Sequence, residues 1–355
     1  MQQPHPSILV TGGTGFVLSN TVKYLLETYS SSLLIVLDLQ PVKGHLCDYF
    51  NPVLERLISI QGDIRDRQIL DEISSEWNLT HVVHAASLTH YKPWELENPV
   101  KYVDINIMGT TNLLEWVRNL HGLQQFMYIS TGDVYGESKN DETPSPQSET
   151  GPFYPPEFYA FTKWSAENII RRYGEIFNIP MPSVRLSSVF GPMERPTAGR
   201  VTMSLPYCIV RAMIEDRPFR TTEATLQAGG DFISAEEIAR AITAIIRTKR
   251  PLNNAYNIAS GTYTAIRKIL AIFKDIEPSF TYETVNSEQA DWQRDPNNRY
   301  ARWDAYTIQR LRDEFDWRPS PLAEQLNSYY QWVMESPDIR CPPLQKPPSI
   351  NKSIS

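Results

Sequence analysis

The most constraining stretch of the chain comes first. The apolar run Ile8-Leu9-Val10 passes directly into Thr11-Gly12-Gly13-Thr14-Gly15-Phe16, and from there into a segment whose Leu18, Val22, Leu25, Leu26 and Tyr29 recur at helical spacing. A buried strand, a glycine turn and an amphipathic helix in that order form a βα unit. Glycines let the backbone turn tightly and approach a pyrophosphate, whose charge is met by amide groups at the helix N-terminus. The next apolar run ends in Leu37-Asp38, 23 residues after Gly15. There a carboxylate can accept a hydrogen bond from a ribose 2′-hydroxyl and repels a 2′-phosphate, so the pattern predicts a dinucleotide site that prefers NAD to NADP. Leu18 stands where such loops carry a third glycine, which predicts a helix held slightly off its strand and an altered grip on the cofactor.

Beyond the loop, Leu33-Leu37, Leu57-Ile60, His81-His84 and Phe126-Ser130 read as strands separated by amphipathic stretches, and a helix over 165–177 precedes the strand-like Val184-Arg185-Leu186. This rhythm predicts an α/β fold, a Rossmann-type doubly wound parallel sheet, over residues 1–190. From about 191 the pattern loosens into a smaller, mixed C-terminal part (191–335) that binds substrate, with a helix near Met203–Ile214. Ser234-Ala-Glu-Glu237 has capping-box spacing and starts a helix, and Tyr256-Asn257-Ile258 is expected to return residues 230–260 to the first sheet. Pro337, Pro342, Pro343, Pro347 and Pro348 mark 336–355 as a disordered tail.

Composition removes other classes. The 34 Lys+Arg against 41 Asp+Glu, a net charge of −7, exclude nucleic-acid binding driven by bulk charge. Cys47, Cys208 and Cys341 lie far apart without a Cys-x-x-Cys pair, so no disulfide framework or metal site is expected. The N-terminus has no basic segment leading into a long apolar stretch, and no apolar run approaches the roughly 20 residues of a membrane span; the chain reads as cytoplasmic.

Several further motifs occur in order: Gly62-Asp63-Ile64-Arg65-Asp66, His84-Ala85-Ala86, Asn106-Ile-Met-Gly109-Thr110, Ser130-Thr131-Gly132-Asp133-Val134-Tyr135-Gly136, and Tyr159-Ala-Phe-Thr-Lys163. With Thr11–Phe16 they make the chain resemble the extended short-chain dehydrogenase/reductase family, the nucleotide-sugar epimerase and dehydratase group, over about residues 7–333. The i,i+4 spacing of Tyr159 and Lys163 puts phenol and ammonium on one helix face, where a cation is expected to lower the phenol pKa and make Tyr159 an acid/base. The resemblance implies that Lys163 also holds the nicotinamide ribose, Thr131 bonds the reacting oxygen and Asn106 fixes the active-site helix. It further implies cofactor contacts from Gly12, Gly13, Thr14, Gly15, Phe16, Asp38, Asp63, Ile64, Ala85, Ala86, Asn106, Tyr159 and Lys163, and a homodimer formed through a helix pair.

For the substrate, a sugar or nucleotide-sugar, the candidates are Thr131, Gly132, Asp133, Ser188, Arg294 and His90. Arg294, ten residues before Asp304, matches the family's spacing for a diphosphate-binding arginine, and its fork suits a phosphate. The dehydratase branch carries an Asp-Glu pair after the threonine, where this chain has Gly132-Asp133. Ser188 and Gly230 stand where the nucleotide-sugar branch often has asparagine and arginine, with Arg200 and Arg299 as alternative cations. Trp94 and Trp303 read as packing residues. Three functions stay open: an epimerase that returns the hydride through a transient keto intermediate, a net dehydrogenase or reductase of a smaller hydroxy or keto compound, and a dinucleotide-binding scaffold without turnover.

Overall fold

A computed structural model describes residues 6–30, 32–136, 146–197, 200–294 and 304–343. Its centre is a seven-stranded sheet. The strands β1 (Ile8–Thr11), β2 (Leu34–Asp38), β3 (Leu57–Gln61), β4 (His81–His84), β5 (Gln125–Thr131) and β6 (Ser183–Leu186) are joined by Ala255–Ile258 at the outer side of β6. All neighbours are parallel, and β1 lies between β2 and β4. The strand order therefore reverses beside β1, the point at which open α/β sheets open a crevice at the carboxyl ends of their strands.

Alternation along each strand divides the apolar side chains between two layers. Ile8, Val10, Val36, Val83 and Met127 face a core shared with Val22, Leu25 and Leu26 of α1 (Phe16–Thr28) and with Ile238, Ile242 and Ile245 of the helix Ala235–Ile246. Leu9, Ile35, Val82 and Phe126 face the opposite core, with Leu113, Trp116, Ala166 and Ile170. Leu18 is almost wholly buried in the first core. A third core, around Phe190, Tyr207, Phe232, Phe273 and Tyr329, belongs to the C-terminal part.

The chain crosses back to the sheet twice. The segment after 234 returns through Ala235–Ile246 and the strand Ala255–Ile258. Tyr306, Ile308, Leu311 and Trp317 also enter the first core, a return that the sequence reading assigned to the substrate part. Ser234 caps its helix by accepting from the Glu237 N–H at 3.3 Å, while Glu237 pairs with Arg240, so the capping box is half made. The helix expected over 165–177 starts earlier and runs from Phe158 to Phe177. Ser336–Pro343 depart from the expected disorder. Pro337–Arg340 form a helical turn, Cys341 is fully buried, and the Tyr207 hydroxyl donates to the Pro342 carbonyl. The rest of that expected tail lies outside the described residues.

Candidate active site

The glycine loop is held in the reversal crevice by close backbone contacts. Gly12 has φ +74°, and a Cβ there would lie 2.8 Å from the Ala86 nitrogen; one on Gly13 would lie 2.8 Å from a Val36 methyl. The Gly12 N–H donates to the Leu37 carbonyl at 2.9 Å, and the Ala85 N–H to Thr11 O at 3.1 Å, so the ends of β1, β2 and β4 converge here. The N-terminus of α1, at Gly15 and Phe16, has neither a side-chain cap nor an acidic residue in its first turn. Its amides are left for an anion. Asp38 accepts from Thr14 N–H and Gln40 N–H, both at 3.1 Å, which fixes the carboxylate at the loop's edge. These features fit the pyrophosphate and ribose of a dinucleotide.

Further along the crevice, Ile64 is buried against Gly109, and its carbonyl accepts from Asn112 at 2.7 Å. Asp63 is engaged by Arg65 through both carboxylate oxygens, and the hydrogen bonds from that side chain hold Asp63 below its ordinary value. Arg65 also reaches Asp104. Asn106 lies in a π-helical turn, Val103–Gly109. It accepts from Leu88 N–H at 2.7 Å and donates to Leu88 O at 3.1 Å and to Thr162 Oγ1 at 3.0 Å. The loop after β4 is thereby tied to the helix that carries Tyr159.

Lys163 is buried. Its Nζ donates to the Ile129 carbonyl at 2.6 Å and lies 4.2 Å from the centre of the Tyr128 ring. Burial lowers its ammonium to about 7, against the pull of Glu167. The expected lowering of the Tyr159 pKa is not found. Burial pushes the phenol well above its ordinary value and Asp133 adds to this, while a hydrogen bond with Thr131 and the charge of Arg200 pull the other way. The sequence reading counted the ammonium one helical turn away and missed the cost of burying a phenolate.

Thr131, at the end of β5, accepts from Asp133 N–H at 3.2 Å and caps the turn Gly132–Tyr135. Burial raises the Asp133 carboxyl to about 6, and His90 and Arg294 are among the charges that oppose this. His90 pairs with Glu157, just before the active-site helix, and this hydrogen bond raises the imidazole. Arg294 donates to the Gly229 carbonyl at 3.0 Å and lies 5.1 Å from the Trp292 ring; burial lowers it to about 10, and Tyr306, Tyr263 and Asp133 act against that. The structure therefore gathers Thr131, Asp133, Tyr159, His90 and Arg294 into one electrostatic cluster. Ser188 is placed on the strand Ser188–Phe190, its N–H donating to Asp231 O at 3.1 Å. Arg200 pairs with buried Glu194 and lies 5.0 Å from the centre of the Phe16 ring, at the rim of the loop. Trp94 packs edge-on against Tyr91. Arg299 and Trp303 lie outside the described residues.

Two members of the cluster were missed from sequence. Glu157 had a local signal, lying two residues before Tyr159. Tyr306 had none. Its hydroxyl and ring occupy the space beside Gly132, where an added Cβ would fall 2.6 Å from Tyr306 Cζ and nearer still to its oxygen. Among the described residues no group of His, Cys, Asp and Glu could hold a metal ion, and no helix is long and apolar enough to cross a membrane.

Comparison with known proteins places this geometry in context. Residues 8–259 match the family described as NAD dependent epimerase/dehydratase. A dTDP-D-glucose 4,6-dehydratase of Dictyostelium discoideum is 28% identical over 71% of this chain and 58% of its own length. A putative UDP-glucose 4-epimerase of Methanocaldococcus jannaschii is 28% identical over 92% of this chain and 98% of its own. The chain spans about half the length of the curated relatives first matched, 58% and 48%. Among solved structures, the UDP-glucose 4-epimerase of Thermotoga maritima superposes with a TM-score of 0.77 at 21% identity, covering 93% of this chain and 99% of that one. The chain belongs to the NAD dependent epimerase/dehydratase family, whose cofactor is NAD.

Proposed function

We propose that this chain oxidises a secondary carbinol of a nucleotide-sugar and returns the hydride to the other face of the keto intermediate, as an epimerase. The observation that carries this reading is the steric exclusion at Gly132: the Tyr306 phenol takes the place of the first acid used by the dehydratase branch, while Thr131, Tyr159 and Lys163 are all present. Gly12, Gly13, Thr14, Gly15 and Phe16 would hold the pyrophosphate, Asp38 a ribose, Asp63, Ile64, Ala85 and Ala86 the adenosine side, and Lys163 the nicotinamide ribose. NAD, when bound, supplies the hydride acceptor and, in its oxidised form, a positive charge.

Tyr159 Oη takes the carbinol proton on oxidation and gives it back on reduction. Among the chain's own charges this phenol holds its proton at neutral pH, so abstraction requires added positive charge and return does not. Thr131 shares the reacting oxygen through its hydroxyl and steadies the phenol. Asn106 positions the helix by its bonds to Leu88 and Thr162. Asp133 and His90 line the sugar side, and Arg294 meets the diphosphate. A second reading, a net dehydrogenase of a smaller compound, is favoured by Gly230. It lies in a two-residue strand paired with Thr264–Ala265 and offers no cation to a diphosphate. A homodimer would be formed through the exposed Met108 and Phe161, which lie on helical segments packed against each other.

The test is incubation of the NAD-loaded full chain with UDP-glucose and UDP-glucuronic acid, followed by proton NMR. Appearance of the C4 epimer without accumulation of NADH supports the epimerase. Stoichiometric NADH with a keto product overturns the epimerase in favour of net oxidation of the nucleotide-sugar, no reaction with either sugar favours the second reading, and a 4-keto-6-deoxy product overturns the argument from Gly132.

A further inference from the structure

We propose that Tyr306 is a substrate-contacting, specificity-determining residue: its phenol takes the volume of a side chain at position 132 and presents its hydroxyl to the sugar held against Thr131 and Tyr159. The choice of sugar probe rests on the nucleotide-sugar reading above; the placement of the ring does not.

Three observations carry the inference. The first is the contact itself: Cβ atoms do not approach other heavy atoms within 3.0 Å, and at Gly132 a Cβ would lie 2.6 and 2.8 Å from Tyr306 Cζ and Cε1. Position 132 can be filled from its own backbone or from residue 306, but not from both. The second is the rigidity of the segment that delivers the ring. Gln147 N–H donates to Ala305 O at 2.7 Å, Thr307 N–H donates to Gln147 O at 2.9 Å, Tyr306 N–H reaches Asp231 Oδ2 at 3.4 Å, and the ring lies 5.6 Å from that of Tyr135. The phenol is clamped on both sides of its own residue, so its position is set before substrate arrives.

The third observation is the company the hydroxyl keeps. Gly132, against which the Tyr306 hydroxyl lies, stands between Thr131 and Asp133, and Asp133 is the charge that acts most on Tyr306, with Asp231 next and Arg294 opposing them. The hydroxyl therefore lies against the turn that follows Thr131. Burial, with Asp133 and Asp231, holds it protonated far above neutral pH. A neutral phenol can donate one hydrogen bond and accept another, so it can read a sugar hydroxyl as a glycine cannot.

The experiment uses the full chain loaded with NAD in five forms: wild type, Tyr306→Phe, Tyr306→Ser, Gly132→Ala and the Gly132→Ala/Tyr306→Ser double variant. Each is titrated calorimetrically with UDP and with UDP-glucose and melted thermally. Tyr306→Phe keeps the ring and loses only the hydroxyl. It is expected to melt within about 2 °C of wild type and to bind UDP unchanged, while its affinity for UDP-glucose falls about five- to tenfold, the effect of one hydrogen bond. Equal UDP-glucose affinity in wild type and Tyr306→Phe overturns the proposed contact. If wild type binds neither UDP nor UDP-glucose, the nucleotide-sugar reading fails, and Tyr306 is then judged on the melting cycle. A Gly132→Ala loss that disappears in the Tyr306→Ser background supports the shared volume, and additive losses overturn it.

Discussion

At the β1 end of the cleft, the proposed cofactor site draws on Thr11–Gly15 almost entirely through backbone. At the other end, the proposed substrate site draws on side chains of segments more than 150 residues apart, with Tyr306 against Gly132 and Arg294 acting on Tyr306. The first end depends on what cannot be added: a Cβ on Gly12 or Gly13 collides with the loop after β4 or with β2. The second depends on what is added, a phenol at 306 where 132 has given up its side chain. A family can therefore hold its cofactor end constant and retune its substrate end by exchanges between distant positions. Substitutions that separate the two ends test whether the division is real.

The largest separation is expected from Tyr159→Phe. Removing the acid/base should lower turnover about a thousandfold and leave NAD affinity within a factor of two, as read by single-turnover kinetics and calorimetry. Turnover within tenfold of wild type would place the acid/base elsewhere. Gly12→Val should do the reverse of sparing the cofactor. Its branched side chain meets the Ala86 backbone at a φ of +74°, so NAD affinity should fall about a hundredfold, roughly 3 kcal/mol, with a lowered melting temperature. If Gly12→Val binds NAD normally, the glycine loop is not the site and the comparison collapses.

The same division explains what the sequence made legible. Strand β1, the glycine loop, α1 and Asp38 are contiguous or separated by one βα unit, and local periodicity with turn chemistry specifies them. The parallel sheet followed from the repetition of that unit. Tyr306 was invisible because nothing in a linear sequence pairs 132 with 306. The Tyr159 pKa was misread for a related reason. The i,i+4 ammonium is local, whereas the burial that outweighs it comes from packing between the sheet and the C-terminal segments. Ser336–Pro343 were misread because proline content was weighed without the pocket that takes Cys341.

Asp133 sharpens the comparison through pH. Its carboxyl titrates at about 6 in the folded chain against an ordinary 3.8, chiefly because of burial. The folded chain thus binds this proton more tightly than the unfolded chain does. Its contribution to stability is present below about pH 4 and is lost as pH rises through about 6. Asp133→Asn has no proton to lose, so its melting temperature relative to wild type should climb between pH 4 and 7, by an amount equivalent to about 1 to 2 kcal/mol given the residue's partial exposure. A difference that stays flat across that range would show Asp133 to be well solvated and remove it as a charge acting on Tyr159.

The smallest effect is expected at Asp38, because there a side chain serves the backbone end. Its carboxylate is held by the Thr14 and Gln40 amides, and Asp38→Ala removes one acceptor for a ribose hydroxyl together with the charge that repels a 2′-phosphate. Losing the acceptor should weaken NAD about fivefold, near 1 kcal/mol, while losing the repulsion should strengthen NADP, so the NAD to NADP affinity ratio moves on both counts. The glycine loop is untouched, and binding itself should persist. Titration of the variant with each dinucleotide separates the contributions: a fall in NAD affinity without a gain for NADP leaves Asp38 as a hydrogen-bond acceptor alone, and an unchanged ratio removes it from the ribose site and leaves the cofactor end defined by backbone only.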